Sequence, residues 1–244
     1  MQRIFISDLH LQEEKSYLTE AFRDFLAREV PNDAELYILG DLFNYWVGDG
    51  EISDYHRMIA SLIASAGSAR YFMPGNRDFL IGRRYARLAG MKILRDESAI
   101  STAAGPVALC HGDSLCTLDE GYQKFRRFRL SPFNRFVYSL LPSKIKHRLA
   151  GRVRDNASRE KSEKSDAMMD VTPDAVKRLM GRFDSRILIH GHTHKPQEHR
   201  RDGLVRYVLG DWRPDGYEYV TETDGRFEFV SRSLQPREAE DNNS

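Results

Sequence analysis

Five times along this chain a short apolar run stops abruptly in a polar cluster: Ser-Asp-Leu-His at residues 7–10, Gly-Asp-Leu-Phe at 40–43, Gly-Asn-Arg-Asp at 75–78, His-Gly-Asp at 111–113 and His-Gly-His-Thr-His at 190–194. Apolar runs of this length, bounded by polar residues, read as buried strands at residues 3–7, 36–39, 70–73, 107–110 and 186–189. Helical spacing separates several of them. Leu18, Phe22, Phe25 and Leu26 recur on one face of a helix over residues 17–30, and residues 55–66 form a second. A third, Pro173–Arg182, starts with Pro at its first position and Thr172 as the expected N-cap. Strand–helix alternation predicts an α/β fold with a largely parallel sheet. Open α/β sheets collect ligands beyond the carboxyl ends of their strands, so the five clusters are expected to meet at one edge. Residues 204–209, 217–222 and 226–230 read as antiparallel strands, with turns at Pro214-Asp215-Gly216 and Asp224-Gly225.

The clusters carry one kind of chemistry. Asp8 and His10 stand two apart at a strand end, where strand alternation turns both the same way, and His192 and His194 repeat the arrangement. Asp41, Asn76 and His111 each follow a strand of their own. Carboxylate, imidazole and amide oxygen without thiolate suit Mn²⁺, Fe²⁺, Zn²⁺ or Co²⁺ and are too rich in nitrogen for calcium. Seven donors exceed what one ion takes, so two divalent metals sharing an Asp are expected. Such pairs serve in-line phosphoryl displacement. His190 reads as packing or as support behind these ligands, and His56, His147 and His199 as surface residues.

Net charge is +1, yet residues 119–165 hold 13 Lys and Arg against 5 Asp and Glu, a local +8. This stretch breaks the strand–helix alternation. It mixes its cations with Phe125, Phe128, Phe133, Phe136, Tyr138, Leu140, Leu141 and Ile145 and is divided by Pro132 and Pro142. It reads as a helical cap (119–165) inserted into a core made of residues 1–118 and 166–234. Residues 235–244 read as a disordered polar tail. The two cysteines, Cys110 and Cys116, form no disulfide or zinc pattern and read as packing, which implies a reducing compartment. No run has the length of a signal peptide or a membrane span, so a soluble chain able to rest on a membrane surface is expected.

The elements DLH, GDLF, GNRD, HGD and GHTHKP, in this order over residues 1–211, resemble the calcineurin-like metallophosphoesterases. The resemblance implies a four-layered αββα sandwich in the α/β (α+β) class. It also implies a dinuclear centre in which Asp8, His10, Asp41 and His194 hold one ion, Asp41, Asn76, His111 and His192 hold the other, and Asp41 bridges; Mn²⁺ is the metal it favours. Asp41, Asn76, Arg77 and His111 would be catalytic. Where the family commonly has GNH, this chain has GNR, so Arg77 is expected to act by charge on phosphate oxygens, because a guanidinium keeps its proton.

GDLFNYWVGD, HGDSLCTLDEGYQKFR and residues 152–171 are further similar to the branch of the family that hydrolyses a UDP-linked diacylated glucosamine in lipid A biosynthesis. That similarity implies a diphosphate-cleaving hydrolase at the cytoplasmic side of the bacterial inner membrane, held peripherally to anionic lipid. It implies substrate contacts at Asn76, Arg77, Asp119, Arg154, Lys164 and His192. Ser158, beside Ala157 where the branch carries Ser, and Lys161, where it carries a small polar residue, join that set. Asn44-Tyr45 stands where the branch often shows Glu-Ala. A phosphodiesterase or nucleotide pyrophosphatase with a soluble substrate remains the alternative. The basic stretch alone also suits nucleic acid, but no nucleic-acid motif accompanies it, and neither a nucleic-acid nor an obligate protein partner is expected.

Overall fold

The computed structural model describes residues 1–142, 144–146, 148–149, 168 and 170–234. Its first half delivers β1 (Gln2–Ile6), α1 (Ser16–Arg28), β2 (Glu35–Ile38), α2 (Asp54–Ala64), β3 (Ala69–Phe72), α3 (Arg83–Leu88), β4 (Met91–Ile93), β5 (Glu97–Thr102) and β6 (Gly105–Cys110). There follow α4 (Glu120–Leu130), α5 (Pro132–Leu140), α6 (Pro173–Arg182), β7 (Ile187–His190), β8 (Gln197–Arg201), β9 (Leu204–Val208), β10 (Gly216–Thr223) and β11 (Arg226–Ser233).

The strands divide between two mixed sheets, which corrects the expectation of one largely parallel sheet. The first has the order β11-β10-β1-β2-β3-β4, parallel from β1 to β4 and antiparallel at β10 and β11. The second has the order β5-β6-β7-β9-β8, with parallel β6, β7 and β9 between antiparallel edges. The reason the sequence hid this is physical. β5 (ESAIST) and β8 (QEHRR) are polar edge strands, with no apolar period to announce them. β9 pairs parallel with β7 on one side and antiparallel with β8 on the other.

Alternation within β1 fixes the layers. Ile4 and Ile6 face α1, α2 and α3, in a core with Phe22, Phe25, Ile59 and Tyr85. Phe5 points the other way, into a slab shared with Tyr37, Leu39 and Met73 of the first sheet and Val107, Leu109, Leu188 and Tyr207 of the second. Ala175, Leu179 and Met180 of α6 belong to the same cluster. Helices, sheet, sheet and helix therefore stack as four layers, the αββα arrangement. Each fully buried Leu, Ile or Phe contributes roughly 1.5–3 kcal/mol, so the slab and the helix-side core carry most of the stability. Phe25 adds edge-to-face contacts with Trp212 (5.3 Å) and Tyr219 (5.3 Å) that pin α1 to the C-terminal hairpin.

Two local expectations need correction. His56 is not a surface residue. It closes the N-terminus of α2 by a reciprocal pair with Ser53, and its ring lies edge-on to Phe43 and Trp46 at 4.9 and 4.7 Å. His199 is likewise half-buried, on β8, while His147 lies outside the described residues. Thr172 does occupy the N-cap of α6, but its hydroxyl shares a hydrogen bond with that of Thr117 (2.7 Å) and makes no capping bond. Cys110 and Cys116 are buried thiols that form no disulfide, and burial pushes the Cys116 thiol up to about 12.

Helix α4 reverses the usual amphipathic rule. Tyr122, Arg126 and Arg129 turn inward, and Phe125 and Phe128 turn out. The inward choice follows from Asp113, a buried carboxylate that accepts from Tyr122 Oη (2.7 Å), Arg126 Nε (3.0 Å) and Arg129 Nη2 (2.6 Å). A buried anion needs paired cations and hydrogen bonds, and α4 supplies them. Phe133, Phe136 and Leu140 of α5 are also exposed, so α4 and α5 present an outward apolar face. No helix among the described residues is long and apolar enough to cross a membrane.

Candidate metal centre

All seven expected donors come together at the ends of both sheets. Asp8, His10, Asp41 and Asn76 follow β1, β2 and β3 of the first sheet, and His111, His192 and His194 follow β6 and β7 of the second. The mechanism of convergence differs from strand alternation. β1 ends at Ile6, and Asp8 and His10 lie beyond it with φ of 55° and 50°; Asp41, His192 and His194 share this left-handed backbone. Asp, Asn and His tolerate that region better than other side-chain-bearing residues, at about 1–3 kcal/mol each, and spending it on five ligands marks a built site. Backbone bonds hold the loops together: Asp8 N donates to Gly40 O (3.1 Å), His10 N to Asp41 O (2.9 Å) and Gly191 N to His111 O (2.8 Å). His192 N crosses between sheets to Asp8 Oδ2 (2.9 Å).

Two sub-clusters emerge. In one, His194 Nε2 lies 3.2 Å from Asp8 Oδ1 and 3.3 Å from His10 Nε2, and His10 Nε2 lies 3.9 Å from Asp8 Oδ1. In the other, Asn76 Oδ1 lies 2.8 Å from His111 Nε2 and 2.9 Å from His192 Nδ1. Asp41 stands between them, Oδ2 3.9 Å from His10 Nδ1 and Oδ1 3.7 Å from His111 Nε2. His111 Nδ1 donates to Leu39 O (2.9 Å), which aims Nε2 at the amide oxygen of Asn76. Oxygen and nitrogen ligand atoms thus converge, and among the described residues His10 Nδ1 is buried with no hydrogen-bond partner. Such a donor set around two buried carboxylates fits divalent cations, which would displace the proton from the imidazoles.

The electrostatics agree. Burial opposes charge on Asp8, but a hydrogen bond from His194 and the fields of His111, His194 and His10 hold its carboxyl well below the usual range. Burial raises Asp41, with Asp8 reinforcing the shift and His111 opposing it. Burial also disfavours charge on His111, yet Asp41 and Asp8 outweigh it and lift the imidazole to about 9. Burial and the charge on His111 push His192 down to about 3. The pocket strongly favours positive charge close to its carboxylates.

Residues outside the expected set support it. Asp78, the last residue of GNRD, accepts from Gly75 N (2.8 Å), Leu42 N (2.8 Å) and Asp41 N (3.3 Å), locking two ligand loops together. Burial and Asp41 raise it to about 7. Arg129 donates to the carbonyls of Gly75 (3.3 Å) and Asn76 (3.4 Å) and lies 4.6 Å from the Phe79 ring, so α4 braces the Asn76 loop. The Asp78 and Asp113 signals were present inside their motifs; Arg129 carried none, being one cation among many. His190 is buried behind the ligands. Arg206 Nη1 donates to its Nε2 (3.2 Å), so its ring proton sits on Nδ1, which donates to Gly191 O (2.9 Å). Burial and Arg206 push it down to about 4.

Of the expected substrate contacts, Asn76, Arg77 and His192 lie at this centre. The Arg77 guanidinium reaches to 3.6 Å from Asp41 Oδ2, and its backbone N donates to Asp41 Oδ1 (2.9 Å). Asp119 is buried as the N-cap of α4, accepting from Tyr122 N (2.9 Å), and the Tyr122 ring stacks toward His192 at 6.2 Å. Arg154, Ser158, Lys161 and Lys164 lie outside the described residues.

The calcineurin-like phosphoesterase family model matches residues 1–196. A UDP-2,3-diacylglucosamine hydrolase of Pseudomonas paraeruginosa is 43% identical over 232 residues, 92% of this chain and 97% of that one. The enzyme of the same name from Aeromonas hydrophila is 43% identical over 88% of this chain and 92% of its own length. Among solved structures, an archaeal phosphodiesterase superposes with a TM-score of 0.50 at 11% identity, covering 96% of this chain and 100% of that one, which speaks for the fold alone.

Proposed function

Because this chain belongs to the calcineurin-like phosphoesterase family, we propose that it hydrolyses the pyrophosphate bond of UDP-2,3-diacylglucosamine in lipid A biosynthesis. Water attacks the α-phosphorus, the bond from that phosphorus to the bridging oxygen breaks, and UMP and 2,3-diacylglucosamine 1-phosphate leave. The observation that carries the chemistry is the pair of three-donor clusters flanking Asp41. The substrate assignment rests on relatives that share about two residues in five across nearly the whole chain.

Asp8, His10, Asp41 and His194 would hold one divalent ion and Asp41, Asn76, His111 and His192 the second, with Mn²⁺ the proposed metal. When bound, such a pair supplies Lewis-acid polarisation of phosphoryl oxygens and a water acidic enough to attack at neutral pH. The protein's own groups do the rest. Leu39 O fixes the His111 tautomer, and Asp78 fixes the loop bearing Asn76. Arg77, beside Asp41 and permanently charged, neutralises the phosphoryl oxygens as charge grows on them. Asp119, Arg154, Ser158, Lys161, Lys164 and His192 would complete the nucleotide and diphosphate contacts with Asn76 and Arg77. Residues 119–165 would act as a cap on the core of residues 1–118 and 166–234. The exposed Phe128, Phe133, Phe136 and Leu140 face of that cap would meet acyl chains and the cytoplasmic surface of the inner membrane.

Incubating Mn²⁺-loaded protein with the UDP-linked diacyl sugar in ¹⁸O-water tests this reading. UMP carrying the label, together with the sugar phosphate, is the expected result. UDP with a free sugar, or label in the sugar phosphate, refutes it.

A further inference from the structure

Arg77 does not stand alone. Its Nη1 donates to Asn44 Oδ1 (2.8 Å), and Asn44 Nδ2 donates to Gln12 Oε1 (2.7 Å). Chemistry fixes the direction of this relay. Guanidinium has donors only, so the amide atom facing it must be the Asn44 oxygen. That places the Asn44 NH₂ toward Gln12, which must in turn present its oxygen. The backbone around the relay is equally constrained: Asn44 N donates to Leu11 O (3.1 Å), and Trp46 N donates to Arg77 O (3.0 Å). Arg77 is thereby stretched between Asn44 and the Asp41 carboxylate, its side chain 38% exposed at the mouth of the centre. A long, flexible cation in such a position loses conformational entropy on engaging phosphate unless something has already ordered it.

We infer that Asn44 is a positioning residue for this hydrolysis, holding the Arg77 guanidinium in the orientation that meets the reacting phosphate, with Gln12 as its outer anchor. The Asn44 amide oxygen holds the guanidinium from one side, and among the described residues Asp41 is the carboxylate that pairs with it from the other. The inference rests on the reading of Arg77 as a phosphate contact.

A double-mutant cycle on the Mn²⁺-loaded enzyme separates the two ideas. Arg77→Ala should lower kcat by about 10²–10³-fold, the usual effect of removing one transition-state donor. Asn44→Ala should lower kcat by about 10-fold with metal content unchanged, because a misaimed group forfeits part of its effect. In the Arg77→Ala background, Asn44→Ala should change kcat by less than about 2-fold, since coupled residues are non-additive. Gln12→Ala, at the outer end of the relay, should give a smaller loss that also vanishes without Arg77, and it serves if Asn44→Ala folds poorly. If Arg77→Ala is impaired but the Asn44 and Gln12 effects are absent or fully additive, the positioning role is overturned while Arg77 keeps its own. If Arg77→Ala keeps full activity, the reading of Arg77 itself falls.

Discussion

Replacing Gly191 by Ala adds a single methyl group and should nonetheless disable the centre. Gly191 follows β7 and tucks against the loop after β1. A Cβ there would lie 2.1 Å from Asp8 Oδ2, 2.1 Å from Ser7 Oγ and 2.8 Å from Ser7 Cβ. Non-bonded heavy atoms prefer about 3.5 Å or more, so something must move by about 1 Å. Asp8 cannot move freely. It is fully buried, and Oδ2 accepts from Ser7 Oγ (2.6 Å) and His192 N (2.9 Å). Hydrogen bonds to a charged acceptor contribute about 1.5–3 kcal/mol each, so losing both costs about 3–6 kcal/mol. At about 2–4 °C per kcal/mol for a chain of this size, Tm should fall by about 6–24 °C. Misplacing a reacting constellation by 1 Å costs about 10²-fold in rate. The assay is kcat with Mn²⁺, isothermal titration of Mn²⁺ and thermal unfolding in a chelator. Gly50→Ala, whose Cβ meets nothing within 4 Å, is the matched control and should behave as the parent. A Gly191→Ala protein with parental rate, Mn²⁺ affinity and Tm would show that Asp8 is not held as described.

Asp41→Asn should leave the protein folded but lower bound metal, read by elemental analysis, below that of a variant that loses a ligand from one sub-cluster only, such as His10→Ala. Gly181→Ala, in the last turn of α6 with open space around it and an ordinary φ, should raise stability by about 0.5–1 kcal/mol in urea unfolding, the usual gain from replacing a helical glycine. Phe128→Ser and Phe133→Ser, at 62% and 72% exposed, should shift stability by no more than about 0.5 kcal/mol. They should lower turnover of the diacylated substrate more than that of a short-chain analogue, and equal losses on both would favour a soluble substrate. Hydrogen bonds from Arg232 and Tyr219 lower the Glu29 pKa below its ordinary 4.5. Its contribution is therefore complete above pH 4.5 and disappears as pH falls through the lower folded value. Glu29→Gln should be less stable than the parent by up to about 1 kcal/mol at pH 7, with the gap closing in acid unfolding curves.

The site was legible because its donors sit where apolar strands stop, and a strand buried on both faces, such as Ile4-Phe5-Ile6, is visible as an apolar run. What failed was inference from pattern to pairing. Nothing in ESAIST or QEHRR marks an edge strand, and three residues of β4 carry too little period to be seen. The parallel runs were assigned to one sheet because sequence order does not say which strands share hydrogen bonds. Side chains acting through others were missed for a similar reason. Asp78 and Asp113 lay inside quoted motifs, yet their roles depend on partners elsewhere, the backbone N–H of Leu42 for Asp78 and the α4 arginines for Asp113. Arg129 was one cation among the 13 of residues 119–165 and is buried against the Asn76 loop. His56 looked solitary because its aromatic partners Phe43 and Trp46 come from the preceding loop.

The ligands arrive from both sheets, and the slab of Phe5, Leu39, Leu109 and Leu188 sets how far apart those sheets stand. That interior is a spacer as well as a source of stability: its thickness is written into the gap between the two groups of donors. Selection acting on reaction rate must therefore reach residues that never meet a substrate. Swaps of unequal size in this greasy filling will be felt as a change in catalytic gauge before the protein is near unfolding.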